Sequence, residues 1–207
     1  MDKRTHILTT ALTLFGQKGF EGTSVRDIAT EAGVNLAMIS YYFGSKEKLF
    51  QKAIEFKASY LKGVFEELVN NNQLSAIEKI GVVIDNYVER IFSNPKFHHL
   101  LHRELSLEHR TQMREQVIDV LLKNVMIIKK IIEDAIDNKV FKKVDPELTV
   151  ATLIGTINQL ALSEVFCTKL LKKNKDFKPY QNKKFKERVS NHLKQVMRSH
   201  LLLTGNT

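Results

Sequence analysis

Apolar residues recur at intervals of three and four along almost the whole of this chain, the period of helices with one buried face. Ile7, Leu8, Ala11, Leu14 and Phe15 make the first such stripe, and Gly19 follows it. That predicts a helix over about 3–18, closed by a residue that takes left-handed backbone at little cost. Val25, Ile28, Ala29 and Ala32 repeat the pattern behind Ser24. Asp27 stands three residues after the serine, which completes a capping box. Gly33 follows the stripe at once, and Asn35 can cap a third, short helix. On that helix Ile39 and Phe43 face inward, while Leu36, Ala37, Ser40 and Tyr41 fall on the opposite side. Ser45 caps a fourth helix over about 46–69, with Leu49, Phe50, Ala53, Phe56, Tyr60, Leu61, Val64 and Leu68 along its apolar side.

Ser75 opens a fifth helix, about 75–93, which stops before Pro95. A sixth is predicted over 96–108 and a seventh over 111–138. Asp145-Pro146-Glu147 combines a cap, a proline in the first turn and an acid at the positive helix end. The eighth helix it starts is predicted to run unbroken from 146 to 171. Leu148, Leu153, Ile154, Ile157, Leu160, Ala161 and Val165 make it apolar on two sides, and Gly155 in its middle suits a close helix approach. A last helix over 183–203 carries Phe185, Val189, Leu193, Val196, His200 and Leu203. The expected architecture is all-α with nine helices. Residues 1–45 form a small N-terminal domain and 46–207 a larger helical one, with helix 46–69 bridging the two.

Composition agrees with this reading. The chain holds only 3 prolines and 9 glycines in 207 residues, and 43% of it is hydrophobic, enough for a substantial core. Its one cysteine, Cys167, fits a reducing compartment. No apolar run approaches the roughly 20 residues that span a bilayer. The N-terminus is interrupted by polar residues at helical period, unlike a signal peptide. A cytoplasmic protein with no membrane partner is expected. The net charge of +9 invites a nucleic-acid reading, but residues 169–207 carry the whole excess, 11 Lys+Arg against 2 Asp+Glu. The case for DNA therefore rests on local residues.

Those residues are in 24–50. Two short helices joined by a Gly-centred turn, the second with small and aromatic side chains outward, form a helix-turn-helix able to enter the major groove. The stretch resembles the DNA-binding domain of the TetR family of bacterial transcriptional regulators. The resemblance is carried by Val25-Arg26-Asp27-Ile28-Ala29, Ala32-Gly33-Val34, Tyr42-Phe43, and Lys46-Glu47 with Leu49. Upstream, Ile7-Leu8, Ala11, Leu14-Phe15 and Gly19-Phe20 match the family's first helix. Phosphate contacts are expected from Thr23 and Ser24 at a helix start, from Arg26, and from Tyr42 and Lys46. By resemblance Thr23, Tyr42 and Lys46 occupy positions that commonly touch the backbone. Base contacts are expected from Asn35, Leu36, Ala37, Ser40 and Tyr41, with Leu36 and Ala37 against thymine methyls. The family often has an aromatic at Ser40 and a glycine at Ala37. The third helix has no arginine, so an A·T-leaning site is expected.

The resemblance implies a homodimer in which the last two helices pack against their mates as a four-helix bundle. Ile154, Ile157, Ala161, Val165, Val189, Leu193, Val196 and His200 are the interface candidates. It implies a repressor that binds a palindromic double-stranded operator and is released by a small-molecule effector. Tyr87, His98, His102, Asn158, Gln159 and Cys167 are polar candidates for the effector pocket, with Phe92, Phe97, Met126 and Phe166 as walls. No cofactor or metal is expected. An enzyme is the rival from another class: His98 and His102 stand four apart, but two imidazoles without HExxH are not a metal site. No glycine-rich phosphate loop or Ser–His–Asp order appears, and Cys167 in an apolar helix reads as an inert thiol. A third reading keeps DNA binding and drops the effector.

Overall fold

The computed structural model describes residues 2–106 and 111–203. Among them ten α-helices carry the chain: α1 (Lys3–Lys18), α2 (Val25–Glu31), α3 (Leu36–Phe43), α4 (Lys46–Asn70), α5 (Ala76–Ser93), α6 (Pro95–Leu105), α7 (Thr111–Asp137), α8 (Pro146–Ala161), α9 (Glu164–Leu170) and α10 (Lys183–Leu201). A 3-10 turn lies at Pro179–Gln181, and an isolated bridge joins Phe141 to Leu202. The backbone groups into two compact units, Met1–Tyr60 with Lys96–Leu122, and Leu61–Pro95 with Lys123–Thr207. Both α4 and α7 have residues in each.

The first unit is organised around three rings. Phe20 stacks on Phe15 at 5.6 Å, and Phe50 meets both edge-on, at 5.1 and 5.2 Å. Ile7, Leu8, Ile28, Ile39, Phe43 and Leu49 close around them, so the inward stripes of the first four helices form one core. The helix ends follow the sequence signals. Ser24 accepts from the Asp27 N–H at 3.0 Å, and the Asp27 carboxylate accepts from the Ser24 N–H at 2.8 Å. Gly33 (φ 61°) makes the turn between α2 and α3 in a conformation that suits glycine.

The second unit packs α5 against α8 and α10. Ile80, Ile84, Val88, Leu153, Ile157, Leu193 and Met197 are buried there. Phe92 stacks on Phe185 at 5.8 Å and Phe65 on Tyr87 at 5.6 Å. α5 starts in a second capping box, from Ser75 and Glu78.

The predicted helix 146–171 is two helices, α8 and α9, bent by 101°. Ser163 leaves helical geometry (φ −152°, ψ 114°), and its hydroxyl accepts from the Phe166 N–H at 3.1 Å to cap α9. The Tyr180 hydroxyl donates to the carbonyls of Leu160 and Ala161, at 3.1 and 3.0 Å, and so satisfies the end of α8. This raises the helix count from nine to ten. The last helix closes at Leu201 rather than 203, where the Lys142 N–H donates to the Leu201 carbonyl at 2.7 Å. The sixth is described to Leu105, and its expected end near 108 lies outside the described residues. No single helix among the described residues is long and apolar enough to cross a membrane; α8 and α9 pass that test only as a bent pair.

Candidate nucleic-acid interface

Two inward anchors fix which side of α3 faces out. Ile39 and Phe43 are buried, four residues apart, which turns Leu36, Ala37, Ser40 and Tyr41 away from the core. Tyr41 is 85% exposed, and its ring meets that of Tyr42 edge-on at 5.4 Å. Leu36 and Tyr42 are each 39% exposed, at the border of the same face. Asn35 accepts from the Ala37 N–H at 2.8 Å through its side-chain carbonyl. Its amide NH₂ remains at the exposed start of the helix.

The phosphate candidates divide. Arg26 and Tyr42 are exposed, and Lys46 is half-buried with its Nζ 4.3 Å from the centre of the Phe20 ring. Ser24 is exposed, but both its hydroxyl and its N–H are engaged with the Asp27 carboxylate. Thr23 is a correction. It is fully buried, and its hydroxyl donates to the carbonyls of Gly19 (2.7 Å) and Leu14 (3.2 Å) while its N–H donates to Phe20. The side chain ties the end of α1 to the start of α2 and has nothing left for a phosphate. Arg4 was not anticipated from sequence. Its guanidinium lies 5.8 Å from the Phe43 ring, which brings a cation beside α3. Only its charge in the first turn of α1 could have flagged it.

The ten effector candidates are divided between the two units. Phe97, His98 and His102 belong to the first unit, where the two imidazole Nε2 atoms are 3.1 Å apart. Burial, with the charge of His99, holds His102 below its ordinary pKa. Tyr87, Phe92 and Cys167 are part of the second unit's core, and burial raises the Tyr87 phenol and the Cys167 thiol. Met126, Gln159 and Phe166 are exposed. Asn158 Oδ1 is a buried side-chain acceptor with no partner among the described residues. The interface candidates also divide. Ile157, Ala161, Val189 and Leu193 are buried in the second unit's core, and Val189 also borders the groove along α8. Ile154 and Val196 are half-buried, and Val165 and His200 are exposed. His200 Nε2 lies 3.1 Å from the Thr149 hydroxyl. The outward side of α8 is instead Ala151, Thr152, Gly155 and Gln159, which with Thr156, Arg188 and His192 lines a groove of about 790 Å³.

A capped two-helix reader set on a three-ring core, followed by a larger helical unit, defines a helix-turn-helix protein of the regulator class. Residues 7–53 match the family described as "Bacterial regulatory proteins, tetR family", and residues 73–162 match "Tetracyclin repressor-like, C-terminal domain". The chain belongs to the TetR family. It is 34% identical over 129 residues to the probable HTH-type transcriptional regulator YttP of Bacillus subtilis. That match covers 62% of either chain, less than two thirds of the relative's length. It is 31% identical over 67 residues to IcaR of Staphylococcus aureus, the negative transcriptional regulator of the biofilm operon icaADBC, covering 32% of this chain and 35% of that one. Among solved structures, FadR of Bacillus subtilis in complex with stearoyl-CoA superposes with a TM-score of 0.75 at 19% identity, over 93% of this chain and 96% of that one. At that identity the likeness shows the fold.

Proposed function

We propose that this protein is a DNA-binding transcriptional repressor that acts as a homodimer and is released by a small-molecule effector. The observation that carries the reading is the outward side of α3, with Asn35, Leu36, Ala37, Ser40 and Tyr41 held out by the buried Ile39 and Phe43. Residues 1–45 read DNA, residues 46–207 regulate and dimerise, and α4 joins the two functions. Arg26, Tyr42 and Lys46 position the backbone, together with Arg4. The repressive direction is supported by the likeness to IcaR.

Dimerisation is assigned to the outward side of α8 with the facing part of α10. A Cβ on Gly155 would meet nothing within 4 Å in its own protomer, so the small-residue face is open to a partner helix. The effector is assigned to the second unit. A cavity of about 300 Å³ there has Ile77, Ile80 and Ile84 as walls, and the Asp85–Lys194 ion pair at its rim. Apart from that cavity, the buried Asn158 Oδ1 without a partner among the described residues could accept from a ligand that donates a hydrogen bond.

The test is selection of bound duplexes from a random pool, followed by gel shifts. A two-fold site with half-sites about one helical turn apart is expected, and Tyr41→Ala or Leu36→Ala should change the preferred bases. A pool that yields no common sequence, with both variants unchanged, would favour a protein that organises DNA without reading it.

A further inference from the structure

Within the first unit, the end of α1 and the start of α6 line an open groove of about 360 Å³ whose charged lining is all basic: Lys18, Lys96 and Arg103, joined by His99. No carboxylate is among its lining residues. Lys18 and Lys96 have no hydrogen bond or ion pair with any described residue. Arg103 reaches Glu104 through Nε at 3.5 Å, and the rest of its guanidinium fills the space where a Cβ on Gly19 would stand. Gly19 adopts φ 78°, which independently favours glycine. The first turn of α6 lies against Gly16, whose Cβ would meet the Phe97 backbone at 3.7 Å. Gly19 thus lets the Arg103 guanidinium lie against the end of α1, where it shares one groove with the exposed side chains of Lys18 and Lys96. Gathering like charges is unfavourable unless something of opposite sign shares the space. Arg supplies a planar donor fork and Lys a point charge, a donor set that matches phosphate oxygens.

We propose that this groove binds a small phosphate-bearing molecule, which bridges α1 to α6. Two acids nearby already have other bonds: the Asp27 carboxylate closes its capping box, and Glu104 pairs with Arg103 Nε at 3.5 Å, which leaves the two lysines for an added anion.

Inorganic pyrophosphate at millimolar concentration and constant ionic strength is the probe, with thermal unfolding of the full chain as readout. The wild type should gain about 2–4 °C. The double variant Lys18→Gln/Lys96→Gln and the single variant Arg103→Gln should lose most of that gain, while Lys172→Gln/Lys173→Gln, in the lysine-rich segment, keeps it. Equal gains in the wild type and Lys18→Gln/Lys96→Gln would overturn the assignment. So would no gain in the wild type with a lowered midpoint for the double variant, because the cations would then serve only the negative end of α1. The salt slope of binding to a non-specific duplex should be the same in the double variant as in the wild type; a shallower slope would make these residues DNA-backbone contacts and refute a small-molecule site.

Discussion

Thr23 shows how one residue type serves two physical roles that look alike in a sequence. A threonine before a helix start fits a phosphate contact, and spacing alone does not reveal that its hydroxyl is enclosed. What encloses it is the tight return from α1 to α2, which places two carbonyls within reach. Thr23→Val should therefore cost about 1–3 kcal/mol of unfolding free energy, because it orphans buried acceptors, and should leave the salt dependence of DNA binding unchanged. A reduced salt slope with unaltered stability would return Thr23 to the phosphate contacts. Lys46→Ala is the complementary case. Its ammonium rests over Phe20 yet stays half-exposed at the start of α4, so binding to all sequences should weaken alike, with the salt slope reduced by about one. Loss confined to a single base position would contradict that role. Ile39 and Phe43 were legible because inward anchors obey a period. Arg4 was not, because it reaches α3 through space.

Helix starts were the most readable elements. Ser24, Asn35, Ser75 and Asp145 all cap where their spacing predicts, since a cap is a local bond between residues two or three apart. The Asp27 carboxyl is held below its ordinary value of 3.8, chiefly by the hydrogen bond from the Ser24 N–H and then by the Ser24 hydroxyl. Its contribution to folding is present above that ordinary value and is lost as pH falls through the lowered folded value. In an NMR titration Ser24→Ala should move the Asp27 pKa up towards 3.8; an unmoved titration would refute the hydroxyl's part. The break between α8 and α9 escaped because Ile157, Ala161 and Val165 keep helical period across it. The cap at Ser163 was visible in sequence, but the hydroxyl that stabilises the break comes from Tyr180, 19 residues beyond Ala161. Tyr180→Phe should lower unfolding free energy by about 1–2 kcal/mol, and a value near zero would show that other donors satisfy the end of α8.

For the whole molecule, the helical class and the order of elements followed from period and punctuation. Which faces stay outside the protein's own core did not. An apolar stripe has the same appearance whether it fills its own core or a partner's, so Ile157 and Leu193 were chosen over the small residues that do face outward. Gly155→Leu separates the possibilities. A Cβ at this position meets no atom of the same chain within 4 Å, and leucine favours helix over glycine by up to about 1 kcal/mol, so helical content should be kept. Sedimentation should show the wild type as the proposed dimer and the variant as monomer; a variant that remains dimeric would place the interface elsewhere. The aromatic residues have a practical consequence too. The chain contains no tryptophan, so its ultraviolet emission comes from five tyrosines. Tyr87 and Tyr180 are buried in the second unit's core, whereas Tyr41 and Tyr42 are exposed on α3. A change in tyrosine emission when operator DNA is added should therefore report on the outer pair, and Tyr41→Phe/Tyr42→Phe should abolish most of that change while leaving the signal of the inner pair.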